Sequence, residues 1–100
     1  MPAICRGNSV DADVTHCSAP ARSALSPDVI VNGTGISRQG DNNTSHLLPG
    51  GDDECPSHAA PIATGSTTVF INGKGCGRIG DSISGCTSVA TGSANTFAGP

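Results

Sequence analysis

Apolar residues occur along this chain in short runs that end at turn-forming dipeptides, and no segment repeats them at the period of an α-helix. The clearest run, Thr67 to Ile71, is β-branched and aromatic and meets Asn72-Gly73. Both residues of such a dipeptide suit the positive φ angles of a two-residue hairpin turn. A second run meets Asn32-Gly33 in the same way. The pattern predicts an all-β chain of short hairpins with little or no helix.

The two hairpins belong to a unit that occurs twice, from Ser26 to Asp41 and from Ser66 to Asp81. Both copies keep Ser, Val, Asn-Gly, Gly, Arg and Gly-Asp in register. Five residues beyond the Asp, the first copy has His46 and the second has Cys86. This exchange changes the residue but keeps a metal-ligand type.

A less regular copy lies at the start of the chain, where Asp11 stands five residues before His16. Its turn reads Gly7-Asn-Ser-Val-Asp11 and carries a two-residue insertion, which leaves the geometry of this turn open. The chain contains three outgoing strands, beginning at Ser26, Ser66 and Ser93, and three arms, ending at Arg6, Arg38 and Arg78. The half-unit near the C-terminus should therefore complete the one at the N-terminus. These counts predict a closed body of three similar lobes.

The candidate metal ligands are His16, His46, His58 and Cys86. Three His and one Cys make a closed tetrahedral donor set typical of structural zinc, although iron or another divalent ion would also fit. The alternative is that these residues are exposed turn residues with no ligand role. Cys17 and Cys55, beside the candidates, are the replacements if this choice is wrong, whereas Cys5 and Cys76 lie on strand arms and are expected to pack.

One hundred residues predict a single domain over 1–100. With two Phe, no Trp and no Tyr, the chain cannot build a thick core and needs a staple or a partner. A structural zinc contributes on the order of 10 kcal/mol in small peptides. A net charge of −3 without basic patches or base-stacking aromatics argues against nucleic acid. No apolar span or signal peptide is evident, so we expect folding in a cytoplasm, or export by a route that the sequence does not show.

Two stretches show no strand pattern. Residues 17–25 are rich in Ser, Ala and Pro and are predicted to be a linker, and residues 46–60 are predicted to be irregular. Within the second stretch, Asp53, Cys55 and His58 could be imagined as a catalytic trio. They lie within six residues of one loop in a chain with little room for a substrate pocket. A non-enzymatic protein is therefore predicted.

The start Pro2-Ala3-Ile4-Cys5-Arg6, the two Asn-Gly…Arg-x-Gly-Asp units and the ending from Thr91 to Gly99 resemble the PAAR-repeat family over essentially the whole chain. The resemblance implies a cone of short strands with zinc near its apex, held by three His and one Cys. In this sequence His16, His46, His58 and Cys86 match those roles. No extension or toxin domain is expected.

The same resemblance implies a structural tip that caps the trimeric β-helical spike of a contractile injection machine, one tip per trimer. It would sharpen a phage tail or a type VI secretion spike that pierces the target envelope, with transient membrane contact. The tip would travel in the virion or be secreted with the spike. The alternative is a zinc-binding adaptor that docks an effector onto the spike through the acidic loop at residues 50–54. Residues that bind the partner are not identified by the sequence.

Overall fold

The computed structural model of the protein describes residues 1–15, 20–44, 46–47, 57–85 and 87–99. These residues form three two-stranded antiparallel ribbons and no helix. The ribbons pair β1 (Ile30–Val31) with β2 (Thr34–Gly35), β3 (His46–Leu47) with β4 (Ser57–His58), and β5 (Phe70–Ile71) with β6 (Lys74–Gly75). The described residues therefore include no helix that is long and apolar enough to cross a membrane. The predicted all-β class is confirmed.

The β1–β2 and β5–β6 ribbons are the two hairpins predicted from Asn-Gly. Asn32 and Gly33 have φ angles of 52° and 81°, and Asn72 and Gly73 have φ angles of 55° and 80°. Asn and Gly tolerate this left-handed region better than other residues, so the turn follows from the local sequence.

A serine begins each outgoing strand and closes a small turn with its own hydroxyl. Ser26 Oγ accepts the backbone N–H of Val29 at 2.9 Å. Ser66 Oγ accepts that of Val69 at 2.9 Å, and Ser93 Oγ accepts that of Thr96 at 3.1 Å. Such side-chain-to-backbone bonds favour a turn over a continued strand. The C-terminal half-unit thus has the same local structure as the two complete units.

The three arms meet in a closed ring of backbone hydrogen bonds. Cys5 N–H donates to Gly77 O (3.1 Å), Gly77 N–H to Ser37 O (3.0 Å), and Ser37 N–H to Cys5 O (3.0 Å). The flanking residues form three antiparallel bridges, Ile4 with Arg78, Arg6 with Ile36, and Arg38 with Cys76. The body has extents of 40 × 24 × 22 Å, with two nearly equal short axes. The predicted pseudo-threefold arrangement is confirmed.

The two ends of the chain complete one lobe together, as predicted. Ala3 forms an antiparallel bridge with Phe97, and Ile4 N–H donates to Thr96 O at 3.0 Å. Ser93 N–H in turn donates to Ile4 O at 2.8 Å. The N-terminal arm and the C-terminal strand therefore replace the continuous chain that joins strand to arm in the other two lobes.

Among the described residues, two small apolar clusters make up the core. One lies on the side of the hairpins and contains Ile4, Ile36, Ile71, Cys76 and Ala98. The other contains Cys5 of the first arm, together with Ala60, Ile62, Ile83 and Val89 from the segments beyond the Gly-Asp turns. We call these two sides of the ring the hairpin end and the ligand end. Each cluster buries few large side chains, as the composition predicts.

Two of the five cysteines, Cys5 and Cys76, are fully buried, and the expectation that they pack is confirmed. Burial raises the pKa of the Cys5 thiol to about 12 and that of Cys76 to about 11. Thiols with such pKa values carry almost no thiolate at neutral pH, so both residues act as small apolar groups.

Two predictions about irregular segments were wrong. Residues 17–25 were predicted to be a linker, but in the described part of this segment Arg22 forms a β-bridge with Asn43 and is fully buried. Its burial is possible because the guanidinium has polar partners inside the body. The stretch 46–60 was predicted to be irregular, but its ends pair as β3 and β4. The residues rich in Gly, Pro and acids lie between these two strands.

Candidate functional site

The arginine and the aspartate of each lobe form the same ion pair, which we call the Arg–Asp bracket. In the first lobe, Asp11 Oδ2 accepts the backbone N–H of Arg6 at 2.8 Å and its Nε–H at 2.7 Å, while Oδ1 accepts Nη2–H at 3.0 Å. The other two brackets join Arg38 to Asp41 and Arg78 to Asp81 through the same atoms. The three Asp side chains are at most 5% exposed. Each bracket therefore fixes a Gly-Asp-type turn.

The first bracket forms in spite of the two extra residues in its turn. Asn8 and Ser9 adopt left-handed φ angles of 54° and 60°, and residues 8–10 of this turn are exposed. Asn is among the residues that accept this conformation at the lowest cost. The doubt about this turn is resolved, because the insertion changes the loop and leaves the ion pair intact.

Hydrogen bonds within the brackets favour the charged forms of several of their groups. Burial opposes the charge of Asp11, but hydrogen bonds from Arg6 and Thr91 outweigh it and hold the pKa of this carboxyl below its usual range. The hydrogen bonds to Asp41 and Asp81 raise the pKa values of Arg38 and Arg78. Because every bracket oxygen is occupied by a structural partner, these carboxylates are poorly suited to acid–base catalysis.

A polar contact at the hairpin end links neighbouring lobes. Asn72 Oδ1 accepts hydrogen bonds from the Ser26 hydroxyl (2.5 Å) and from Arg38 Nη1 (3.1 Å). Asn32 plays the same part for Ser93 and Arg6. At the third corner, the backbone carbonyl of Gly99 accepts from the Ser66 hydroxyl at 2.9 Å and from Arg78 Nη1 at 2.6 Å. A main-chain group thus takes the place of the missing third asparagine.

Three exposed apolar side chains occupy equivalent positions, each four residues after the serine of its lobe. We call Ile30, Phe70 and Phe97 the apolar triad; they are 52%, 60% and 49% exposed. The two phenylalanines are the only aromatic residues of the chain. A core-poor protein that leaves both of its aromatic side chains in solvent, on the same lobe position, presents a surface suited to a partner.

Two of the four predicted metal ligands, His46 and His58, are described by their backbone. His46 and His58 are direct partners across the β3–β4 ribbon. Residues opposed in this way have Cα atoms about 4.5–5.5 Å apart. The structure therefore brings together two of the four predicted ligands, although they are twelve residues apart in the sequence.

The other two predicted ligands, His16 and Cys86, lie outside the described residues, as do Cys17, Cys55, Asp53 and the acidic loop at 50–54. Residues two and three positions before His16 and after Cys86 are described and lie side by side. Asp13 forms an antiparallel bridge with Val89, and Val14 N–H donates to Ser88 O at 2.7 Å. The segment leading into His16 thus runs beside the segment that follows Cys86.

A buried charged cluster that the sequence did not indicate lies at the ligand end. Asp13 Oδ2 accepts Arg22 Nη1–H at 2.9 Å and Asn43 Nδ2–H at 2.9 Å. The side chains of Asp13 and Arg22 are 0% exposed. Asp13 Oδ1 has no hydrogen-bond partner among the described residues. An unpartnered buried acceptor costs on the order of 1–3 kcal/mol, so this oxygen requires an explanation.

Comparison with protein-family models matches residues 51–99 to the PAAR motif. The matched region contains the second hairpin and the Arg78–Asp81 bracket, and the first half of the chain repeats both features. This chain is a PAAR-repeat protein. No curated protein matches it. The PAAR motif indicates a spike-tip or adaptor role in contractile injection systems and association with a spike protein, in a family of structural proteins.

Proposed function

We propose that this PAAR-repeat chain caps the trimeric β-helical spike of a contractile injection machine, one chain per trimer, and forms the point that pierces the target envelope. The observation that carries this proposal is the apolar triad. Three lobes of one chain present equivalent apolar side chains on a pseudo-threefold body, so each chain of a trimer can meet the same kind of contact. A monomer thereby matches the symmetry of a trimer.

Backbone pairing adds to the contact. The strands at the hairpin end are two residues long, and in the described part of the chain β1 pairs with no strand other than β2, and β5 with none other than β6. Unpaired strand edges bind further strands by main-chain hydrogen bonds. The open end of a β-helix supplies such strands, and the apolar triad would exclude water from the junction.

Zinc would rigidify the opposite end. His16, His46, His58 and Cys86 are the residues that would hold it, and when bound it supplies a structural crosslink between the lobes. The pairing of His46 with His58 and the bridge from Asp13 to Val89 support this assignment. The buried Oδ1 of Asp13, which has no hydrogen-bond partner in the described ranges, supports it further. A point with so small a core needs a crosslink of this kind in order to transmit force.

The proposed route follows from the proposed role. The chain folds in the bacterial cytoplasm, joins the spike there, and leaves with it, either in a phage tail or with a type VI spike. It contacts the target membrane only during injection.

The test is binding to the spike trimer encoded by the same genome, with a triple variant that replaces Ile30, Phe70 and Phe97 by serine. Burying half of each side chain is worth about 1 kcal/mol, and about 3 kcal/mol for the triad. This corresponds to roughly 100-fold weaker binding, measurable by biolayer interferometry.

The matched control replaces Val10, Val14 and Ile79, which are 46%, 45% and 39% exposed but do not occupy equivalent lobe positions. We expect the control to bind like the parent. Equal binding by the triad variant and the control would show that the triad is not the docking face. Failure of the folded, metal-loaded parent to bind the spike would refute the proposed function itself.

A further inference from the structure

The buried cluster at the ligand end breaks the similarity of the three lobes. Two residues beyond the bracket aspartate, the lobes have Asp13, Asn43 and Ile83, and all three are buried. Facing them are the residues whose N–H groups donate to the carbonyls of Asp11, Asp41 and Asp81, namely Arg22, Ile62 and Val89. The first lobe therefore carries a buried ion pair where the third lobe carries two apolar side chains, Ile83 and Val89.

The ion pair holds one carboxylate oxygen and leaves the other available. Arg22 is fixed by three contacts: Asp13 Oδ2, the Ser37 hydroxyl at 3.1 Å and the carbonyl of Asp41 at 2.5 Å. Asn43 also donates to Asp13 Oδ2. With both donors on the same oxygen, the carboxylate cannot rotate freely, and Oδ1 is held in one place without a partner among the described residues.

Asn43 connects Asp13 to the two segments that lead into the ribbon with two predicted ligands. Asn43, which touches Asp13, accepts the N–H of Ala60 on its side-chain oxygen at 2.9 Å and donates its own N–H to Ala60 O at 3.0 Å. From this pair the chain continues to β3 and β4, where His46 and His58 are opposed. His46 is three residues beyond Asn43, and His58 is two residues before Ala60.

We propose that Asp13 is a positioning residue of the metal centre: its free Oδ1 accepts the N–H of a zinc-bound imidazole from the β3–β4 ribbon, His46 or His58. Metal-binding histidines commonly donate their second ring N–H to a carboxylate, which fixes the tautomer and strengthens the ligand. Arg22 supplies the counter-charge and Asn43 the orientation. This inference rests on the zinc centre of the proposed function.

The test compares the parent with an Asp13→Ile/Arg22→Ile double variant. Isoleucine is the residue that the third lobe has at the position of Asp13 (Ile83) and that the second lobe has at the position of Arg22 (Ile62). Removing both charges together leaves no unpaired ion in the core. We expect the variant to fold and bind zinc 10–100-fold more weakly in competition with a chelating dye. Long-range ¹⁵N–¹H NMR of the zinc-loaded parent should show one slowly exchanging imidazole N–H, which the variant should lose.

An Ile62→Val variant is the control, because it shortens the side chain equivalent to Arg22 in the second lobe and leaves the Asp13 carboxylate unchanged. Its zinc affinity should stay within twofold of that of the parent. Asp13→Asn, which keeps the side-chain size, replaces the double variant if that one does not fold, and should lose the protected N–H. Zinc affinity equal to that of the parent, with the N–H signal retained, would overturn the inference while leaving the metal centre standing. A parent without stoichiometric zinc would overturn both, and spike binding would remain a separate measurement.

Discussion

The most stringent test of the packing around the backbone ring of Cys5, Ser37 and Gly77 is the Gly77→Ala substitution. A Cβ on Gly77 would lie 2.5 Å from the carbonyl oxygen of Ser37, 2.8 Å from Cys5 Sγ and 2.9 Å from Ile62 Cδ1. All three neighbours are buried. The carbonyl of Ser37 accepts the N–H of Gly77 itself, so it cannot move away without breaking the ring.

The expected cost follows from these contacts. Loss of two ring hydrogen bonds costs about 2 kcal/mol, and overpacking of a tight core costs about 2 kcal/mol more. Reduced entropy of the unfolded chain returns about 0.7 kcal/mol. The net loss in the free energy of unfolding is about 3 kcal/mol, which lowers the melting temperature of a domain of this size by roughly 12–24 °C.

The assay is thermal and urea unfolding followed by circular dichroism, with Gly99→Ala as the matched control. A Cβ on Gly99 meets only Thr68 Oγ1 at 3.5 Å and Met1 Sδ at 3.6 Å, so this variant should be within about 1 kcal/mol of the parent. Cys5→Ala in the Gly77→Ala background should recover part of the loss, because it removes the sulfur but leaves the Ser37 carbonyl. Equal stability of Gly77→Ala and Gly99→Ala would refute the ring.

Three further predictions concern the bracket, the thiols and the metal. Asp11→Asn should cost about 2 kcal/mol at pH 7. Because folding lowers the pKa of Asp11, its contribution to the free energy of unfolding is complete above the unfolded pKa near 3.8 and is lost as the pH falls further. The stabilities of parent and variant, measured by urea unfolding, should therefore converge in acid. A stability difference that does not change with pH would contradict this. Cys5 and Cys76 should resist iodoacetamide at pH 8 in the folded protein and react in guanidinium, as peptide mapping would show; labelling of the folded protein at these sites would contradict their burial. Elemental analysis should find one zinc per chain, absent from His46→Ala and Cys86→Ala; full zinc in both variants would exclude these residues as ligands.

Local features of the sequence predicted the hairpins and the number of lobes. Asn-Gly determines its turn because few other dipeptides adopt the φ angles that the turn requires. Each repeated serine closes a turn through its hydroxyl, and each repeated arginine forms an Arg–Asp bracket. The apolar triad was also accessible, since Ile30, Phe70 and Phe97 each follow their serine by four residues. It was missed because apolar strand residues are normally assigned to the core.

Other features have no pattern along the chain. Arg22, Ile62 and Val89 are structural equivalents, but they follow their bracket aspartates by 11, 21 and 8 residues, so no repeat aligns them. For this reason the sequence alone predicts a linker at Arg22, which lies in a Ser/Ala/Pro-rich segment. The Gly99 carbonyl that replaces an asparagine side chain is a main-chain group, and every residue has one. The burial of Arg22 and the role of the Gly99 carbonyl both depend on contacts between segments that are distant in the sequence.

The most direct test of the central claim is native mass spectrometry of this chain mixed with the trimeric β-helical spike encoded by the same genome. The account predicts a complex of one chain with three spike chains, which the triple variant of the apolar triad fails to form. Binding of three chains per trimer, or of none, would contradict the claim that one pseudo-threefold monomer caps the threefold end of the spike.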